Sequence, residues 1–403
     1  MIIDEIRTTQ TGAGPGVACK VHFENGARET HDIFAVTEQP HELTADSNGF
    51  LLGAFLPAWT ARERRIKIET PVCPLLSANL AIAASLFRGW FKDLPAVPAI
   101  EASREYRIAG TRVGVFFSGG VDSLAMVRSL TSLRPAGHPD RPTGAAVVDY
   151  QHVGRIERGE TDARFARSKA VSQEICSQIG LKVIPIRSNF CQLNTSMAFW
   201  MYRYHGAFLA SMAHFLSHEF RLFHIASTYP VTHLAPWGSH PLLDPHYSSQ
   251  HLSIAHHGVE LSRLEKVQQL ADWPLALNRM YVCTSGSSQG RNCGRCEKCV
   301  RTKLHLLVCG HLAEAEAFDE HDVRAADIRS IEIRTHFARV CYAEALPGLR
   351  AIGRTDLADA VGLAIRAYDE HTPERAGYYH SARRLFTRAV RKVKRSMHTA
   401  TGE

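Results

Sequence analysis

The stretch Val113-Gly-Val-Phe-Phe117, followed at once by Ser118-Gly-Gly-Val-Asp-Ser123, decides the fold of this chain. An uninterrupted apolar run is typical of a strand that is buried on both faces of a sheet. Two adjacent glycines allow a sharp turn and a close approach of the backbone to a ligand. The free N–H groups of a following helix, with the hydroxyls of Ser118 and Ser123, form a cup for an anion. The stretch therefore predicts a strand, a phosphate-binding loop and a helix.

The same rhythm continues on the carboxyl side of this stretch. Further apolar runs separated by helical patterns occur at Ala145–Val148, Leu181–Ile186 and Leu222–Ala226. Alternation of buried strands with helices predicts a parallel sheet covered on both faces. Ligands of such sheets bind beyond the carboxyl ends of the strands. No Gly-Lys-Ser/Thr sequence occurs in the chain, so the loop is not a Walker A loop.

The remaining regions have different patterns. Residues 1–105 are predicted to form a separate β-rich domain, because residues 17–23 alternate in polarity, Asn25-Gly26 is a hairpin signal, and residues 65–69 alternate again. Residues 106–310 form the α/β domain, residues 311–372 a helical extension, and residues 373–403 a basic tail. His256-His257 is predicted to be a solvated loop pair, with a metal site as the alternative.

Charge is concentrated at one end of the chain. The 403 residues include 47 Lys and Arg and 40 Asp and Glu, and from Arg375 onward there are eight basic residues and one acid. The rest is neutral, which argues against a generally basic nucleic-acid-binding fold. The tail predicts a basic amphipathic helix for an acidic partner, RNA or a membrane surface, or a helix packed on the body.

Two further features bear on the compartment. No apolar run approaches the ~20 residues that span a bilayer, and the first residues lack the basic n-region of a signal peptide. The sequence thus predicts a cytoplasmic protein without a membrane span. Ten cysteines in such a protein point to metal binding or catalysis rather than to disulfides.

Four of the cysteines are clustered: Cys283, Cys293, Cys296 and Cys299. Four thiolates around one ion make the closed tetrahedral site of structural zinc. Arg295, Lys298 and Arg301 would offset its two net negative charges. An iron–sulfur cluster is the alternative.

The loop Ser-Gly-Gly-x-Asp-Ser after the first strand of the α/β domain resembles the PP-loop of the N-type ATP pyrophosphatases, whose fold is adenine nucleotide alpha hydrolase-like. The resemblance covers roughly residues 110–310. It implies that ATP is cleaved to AMP and pyrophosphate while a substrate is activated, with Mg²⁺ nearby. It also implies ATP-binding residues, of which Asp122, Ser118 and Ser123 are catalytic: Ser118, Gly119, Gly120, Val121, Asp122, Ser123 and Asp149. Asp122→Asn is expected to reduce turnover and leave the fold intact.

The loop together with the four cysteines resembles the 7-cyano-7-deazaguanine synthases. Residues 148–152, Val-Asp-Tyr-Gln-His, stand where that family reads Asp/Ser-Tyr-Gly-Gln, and Pro241-Leu-Leu-Asp244 resembles its Pro-Leu segment. The resemblance implies ATP, Mg²⁺ and Zn²⁺ as cofactors, and 7-carboxy-7-deazaguanine and ammonia as substrates of amide and then nitrile formation. Candidate substrate residues are Tyr150, Gln151, Arg263 and Arg301. Arg263 and Lys266 follow a capping box and would meet a phosphate or carboxylate, or else lie on a solvated face.

The chain also departs from this family. About 110 residues precede the loop, about 90 follow the cysteines, and the glycine of Tyr-Gly-Gln is missing. Enlarged relatives of these synthases occur in bacterial defence and modification cassettes, where some attach a deazaguanine acid to a protein amine. The resemblance therefore implies a protein amine as the alternative acceptor. A nucleotide-binding module without turnover is the alternative class. A homodimer is a further expectation.

Overall fold

The structure, a computed structural model, describes residues 1–26, 29–105, 110–149, 161–283 and 291–371. The strands in these residues are β1 (Ile2–Thr11), β2 (Gly14–His22), β3 (Thr30–Thr37), β4 (Arg65–Ile68), β5 (Ala99–Glu101), β6 (Arg112–Phe116), β7 (Gly144–Asp149), β8 (Lys182–Ser188), β9 (Phe220–Ala226) and β10 (Ser253–His257). The helices are α1 (Ser47–Thr60), α2 (Pro74–Trp90), α3 (Val121–Leu133), α4 (Thr161–Ile179), α5 (Met197–Phe199), α6 (His205–His214), α7 (Arg263–Leu270), α8 (Pro274–Arg279), α9 (Glu297–Val308), α10 (Ala325–Arg329), α11 (His336–Ala351) and α12 (Thr355–His371).

The strands form one mixed, mostly parallel sheet in the order β10-β9-β6-β7-β8-β3-β2-β1-β4-β5. Neighbouring strands from β10 to β8 are parallel, as the alternation of apolar runs and helical patterns predicts. After β6 the chain adds β7 and β8 on one side, and it later adds β9 and β10 on the other. The order therefore reverses between β6 and β9, and such a switch point opens a crevice at the carboxyl ends of the strands.

The N-terminal strands extend this sheet, which corrects the prediction of a separate β-rich domain. β3 pairs antiparallel with β8, with Ala35 opposite Ser188 and Thr37 opposite Ile186. The predicted strands β2, β3 and β4 are present, but α1 and α2 lie among them. Residues 1–105 therefore share a sheet and a core with the α/β region.

Helix α1 carries much of that shared core, and its residues from Ser47 to Trp59 are all buried. Two of its glycines bring neighbouring elements close: a Cβ on Gly53 would lie 2.4 Å from the Phe190 ring. The Tyr204 hydroxyl donates a hydrogen bond to the Gly53 carbonyl at 2.5 Å, and Ser211 donates to the Gly49 carbonyl at 2.8 Å. A helix that is apolar on every side is a buried helix.

The two faces of the sheet are covered by different helices. Helices α1, α2 and α6 cover one face, and α3, α4, α7, α8, α9, α11 and α12 cover the other. The predicted helical C-terminal region is confirmed as far as His371, and the basic tail (residues 373–403) lies outside the described residues. Among the described residues, no helix combines the length and apolar character needed to cross a bilayer.

The pair His256-His257 lies on strand β10, so the prediction of a solvated loop is wrong. The His256 side chain is 3% exposed, and its Nδ1 lies 2.7 Å from a carboxylate oxygen of buried Asp244. Two adjacent histidines show no apolar pattern along the sequence, and the strand forms because β9 offers a parallel edge.

Candidate functional site

A cleft of about 630 Å³ opens at the switch point of the sheet. The ends of β6, β7 and β9 form its floor, where Phe116, Val148 and Ile225 line it. The predicted loop Ser118–Ser123 lines one wall. The cleft thus lies where ligands of parallel sheets bind.

The loop has the geometry of an anion cup. Gly119 has a φ of +73°, a conformation that favours glycine. The hydroxyls of Ser118 and Ser123 lie 3.2 Å apart, and the Ser123 hydroxyl donates to the Gly120 carbonyl at 3.0 Å. Gly120 is the N-cap residue of α3, and no side chain caps this helix. The first N–H groups of α3 are therefore oriented to receive an anion.

Asp122 contacts two cations of helix α7. One carboxylate oxygen lies 2.7 Å from Nη1 of Arg263, and the other lies 3.2 Å from Nζ of Lys266. Their side chains are 5% and 2% exposed, so neither lies on a solvated face. Burial alone would raise the pKa of Asp122, but these two cations outweigh it and hold the pKa below its usual range. Asp122 therefore stays ionised, and each of its oxygens serves one cation.

Arg301, which the sequence analysis names as a candidate substrate residue, also lines the cleft. Its side chain is 3% exposed and lies over the Phe337 ring at 4.8 Å. Its Nη1 lies 3.4 Å from Glu297, and its Nε has no hydrogen-bond partner among the described residues. Nε of Arg263, which also lines the cleft, likewise lacks a partner there. Buried donors without acceptors are costly, which points to an anionic ligand.

The four predicted metal ligands lie together. Ligand atoms of Cys283, Cys293, Cys296 and Cys299 all lie within 4.8 Å of one another. The sulfur of Cys296 lies 3.4 Å from that of Cys299 and 4.0 Å from that of Cys283. A tetrahedral zinc with Zn–S bonds of ~2.3 Å requires sulfurs ~3.8 Å apart. The cluster can therefore hold a metal ion such as zinc.

The closeness of the thiols also affects their protonation. The pKa of the Cys299 thiol is raised, first by its hydrogen bond with Cys296 and then by burial. A bound cation would lower the free-energy cost of forming these thiolates, because it binds the deprotonated sulfurs. Cys283 also lines the cleft, so the metal site and the cleft adjoin.

Asn292 is a supporting residue that sequence reasoning missed. Its Oδ1 accepts hydrogen bonds from the N–H groups of Val282 (2.9 Å) and Cys283 (3.1 Å). Its Nδ2 donates to the carbonyls of Met280 and Ala317, both at 2.9 Å. It thereby fixes the backbone of one metal ligand. Only its position one residue before Cys293 distinguishes it in the sequence.

The wall formed by α5, α6, the turn between them and the loop around Trp237 was also missed. It brings Met197, Trp200, Met201, His205, Phe208 and Trp237 to the cleft. Asp149 lines the cleft at the end of β7, as predicted, whereas Tyr150 and Gln151 lie outside the described residues. The cleft therefore joins a glycine-containing loop at a helix N-terminus, two buried guanidiniums and an aromatic wall.

Comparisons of the chain with protein-family models, with curated proteins and with solved structures find no match in any of the three. The function is therefore argued from the geometry of this cleft.

Proposed function

We propose that the chain is an ATP-dependent ligase that activates a carboxylate as its adenylate and transfers the acyl group to an amine. One observation carries the proposal: an uncapped helix N-terminus behind a glycine loop shares a cleft with buried, incompletely paired Arg301. The loop suits the ATP phosphates, and a guanidinium suits a carboxylate. One cleft thus offers sites for both anions.

The proposed reaction has two steps. The substrate carboxylate attacks the α-phosphorus of ATP, and pyrophosphate leaves. The N–H groups of the Ser118–Ser123 loop and the guanidinium of Arg263 stabilise the charge that develops on the phosphates. An amine then displaces AMP from the acyl carbon.

Magnesium would neutralise part of the phosphate charge when bound. We propose Asp149, which lines the same cleft at the end of β7, as the residue that would hold it. Carboxylate oxygens are the ligands that Mg²⁺ prefers.

We propose 7-carboxy-7-deazaguanine, or a similar flat heteroaromatic acid, as the substrate. The aromatic wall with Trp200 and Trp237 suits a planar ring, and Arg301 would receive its carboxylate. Ammonia is the proposed acceptor, with amide and nitrile as products, and a protein amine is the alternative acceptor.

We propose zinc for the cysteine cluster, with a structural role, because four sulfurs leave the ion no open position. A cluster of several irons would hold its cysteines farther apart than these sulfurs lie. Purified protein should contain one equivalent of zinc and be colourless. Brown protein with iron and sulfide would refute the assignment.

The test is a product analysis with 7-carboxy-7-deazaguanine, ATP, Mg²⁺ and ammonia. Anion-exchange chromatography should show AMP and pyrophosphate, and mass spectrometry should show the amide or nitrile. ADP and orthophosphate would mean an acyl-phosphate route and would refute the proposal. Ser118→Ala or Ser123→Ala should lower the rate by up to ~10²–10³-fold, as for a lost oxyanion donor.

A matched pair of variants tests the carboxylate site. Arg301→Met removes the buried guanidinium and should raise the KM for the acid more than the KM for ATP. Arg295→Met removes a 77% exposed guanidinium in the same metal-binding segment and should leave both constants unchanged. Equal effects of the two changes would contradict the role of Arg301.

A further inference from the structure

A π-helical turn, Trp200–Tyr204, separates α5 from α6, and its residues Trp200 and Met201 line the cleft. The N–H of His205 donates to the Trp200 carbonyl, five residues back. The widened turn leaves backbone groups for another segment: Gly238 donates to the Met201 carbonyl at 3.0 Å, and Gly206 donates to the Gly238 carbonyl at 2.9 Å. Single π turns inside helices are frequent at functional sites.

The two glycines make this contact close enough to orient the His205 ring. A Cβ on Gly238 would lie 2.6 Å from Nδ1 of His205, and a Cβ on Gly206 would lie 2.5 Å from the Gly238 carbonyl oxygen. Nδ1 also lies 3.2 Å from the Trp200 carbonyl oxygen, which makes it the protonated nitrogen. The Nδ1 edge of the ring is therefore occupied, which leaves Nε2 with a lone pair.

His205 is half-buried and is one of the residues that line the cleft. The ring packs edge-on against Trp237, with centroids 5.8 Å apart. Burial lowers the pKa of His205. The backbone groups of Trp200 and Met201 and the charge of Asp244 oppose this only in part, and His256 lowers the pKa further. The imidazole is therefore neutral near pH 7.

We propose that His205 is the general base that takes a proton from the amine before it attacks the acyl adenylate. This inference rests on the proposed function and adds a catalytic residue to it. An ammonium has no lone pair and cannot attack a carbonyl carbon. A neutral imidazole in the wall of the same cleft supplies the base that this step needs.

The step balances as follows. The ammonium gives one proton to Nε2 of His205, and its nitrogen then attacks the acyl carbon. A C–N bond forms, the C–O bond to AMP breaks, and AMP leaves with the electron pair. The nitrogen loses its second proton to water, and His205 returns its own proton to water.

The test measures the two half-reactions separately in two variants. His205→Asn removes the imidazole, and its amide can keep the hydrogen bond to the Trp200 carbonyl. His233→Asn is the control. Adenylation is followed by ATP–pyrophosphate exchange with 7-carboxy-7-deazaguanine, and transfer is followed with ammonia and with hydroxylamine. Hydroxylamine is already unprotonated at neutral pH and needs no base. We expect His205→Asn to keep exchange, to lose ~10²–10⁴-fold in transfer to ammonia, and to lose far less in transfer to hydroxylamine.

The outcomes are distinct. Exchange that persists with an equal loss for both amines, or with no loss for ammonia, would overturn the role of His205 and leave the proposed function standing. Absence of exchange in the unmodified chain would overturn the proposed function, and the base with it. ATP–pyrophosphate exchange in His205→Asn also shows that this variant folds. If His205→Asn does not fold, His205→Gln is the second variant.

Discussion

Replacing Asp122 by asparagine should destabilise the fold, contrary to the expectation from the sequence. The Asp122 carboxylate is the shared anion of Arg263 and Lys266, whose side chains are 5% and 2% exposed. Asparagine has nearly the same volume but no charge. The variant would therefore bury two cations without their anion.

The magnitude follows from the burial of the three groups. Removing one partner of a buried ion pair typically costs ~3–5 kcal/mol. Asp122 is itself 26% exposed, and Lys266 keeps a 2.6 Å bond to the Ser227 carbonyl. We therefore expect the low end, ~3 kcal/mol. With an unfolding entropy of ~2.1 cal/mol/K per residue, this lowers the melting midpoint by about 3–5 °C.

The assay is thermal and urea unfolding of matched variants. Asp272→Asn, which breaks a pair with Arg128 at a 78% exposed carboxylate, is the control and should change stability by less than ~1 kcal/mol. Adding Lys266→Met to Asp122→Asn should restore part of the loss, because it removes one unpaired cation. Unchanged stability of Asp122→Asn, or a further loss in the double variant, would refute this reasoning.

Three further predictions concern other parts of the structure. Asn292→Leu removes the support of the Cys283 backbone and should weaken zinc binding ~10–100-fold in a chelator competition; unchanged affinity would contradict the role of Asn292. His224 is buried, and burial is the largest of the causes that lower its pKa to about 4. The unfolded chain therefore binds a proton at this residue more readily than the folded protein does. The stability that the neutral ring preserves is complete above pH ~6.5 and is lost as the pH falls toward 4. Unfolding free energy should drop by ~2 kcal/mol from pH 7.5 to 5 on its account, and His224→Leu should flatten that slope; an unaltered slope would exclude His224 as its source. Gly238→Ala places a Cβ 2.8 Å from the Tyr204 nitrogen and should cost ~1–3 kcal/mol in urea unfolding, whereas Gly89→Ala, with open space around it, should cost nothing.

The parts predicted from the sequence are those with short-range signals. The apolar run before Ser118 and the two glycines after it predict a strand and a turn, because local backbone freedom and burial decide both. The structure confirms that loop geometry, with Gly119 at positive φ. Helix α1 was missed because it is apolar on every side and shows no helical period.

The parts that the sequence did not predict depend on pairing between distant segments. The N-terminal strands join the main sheet through β3 and β8, whose paired residues Ala35 and Ser188 are far apart in the chain. The π turn before His205 was missed for the same reason: the backbone groups it leaves open find partners in the loop at Gly238.

The sequence by itself determined that buried parallel strands alternate with helices, where the chain turns sharply after the first of these strands, and that four thiols fall close enough to share one ion. Only the tertiary structure decided which charges meet. Asp122 finds Arg263 and Lys266 at separations of 141 and 144 residues, and His205 lines the same cleft as Ser118. The physical reason is that a backbone turn is a local property, whereas the protonation and role of a buried charge depend on the groups that sheet order and helix packing bring against it.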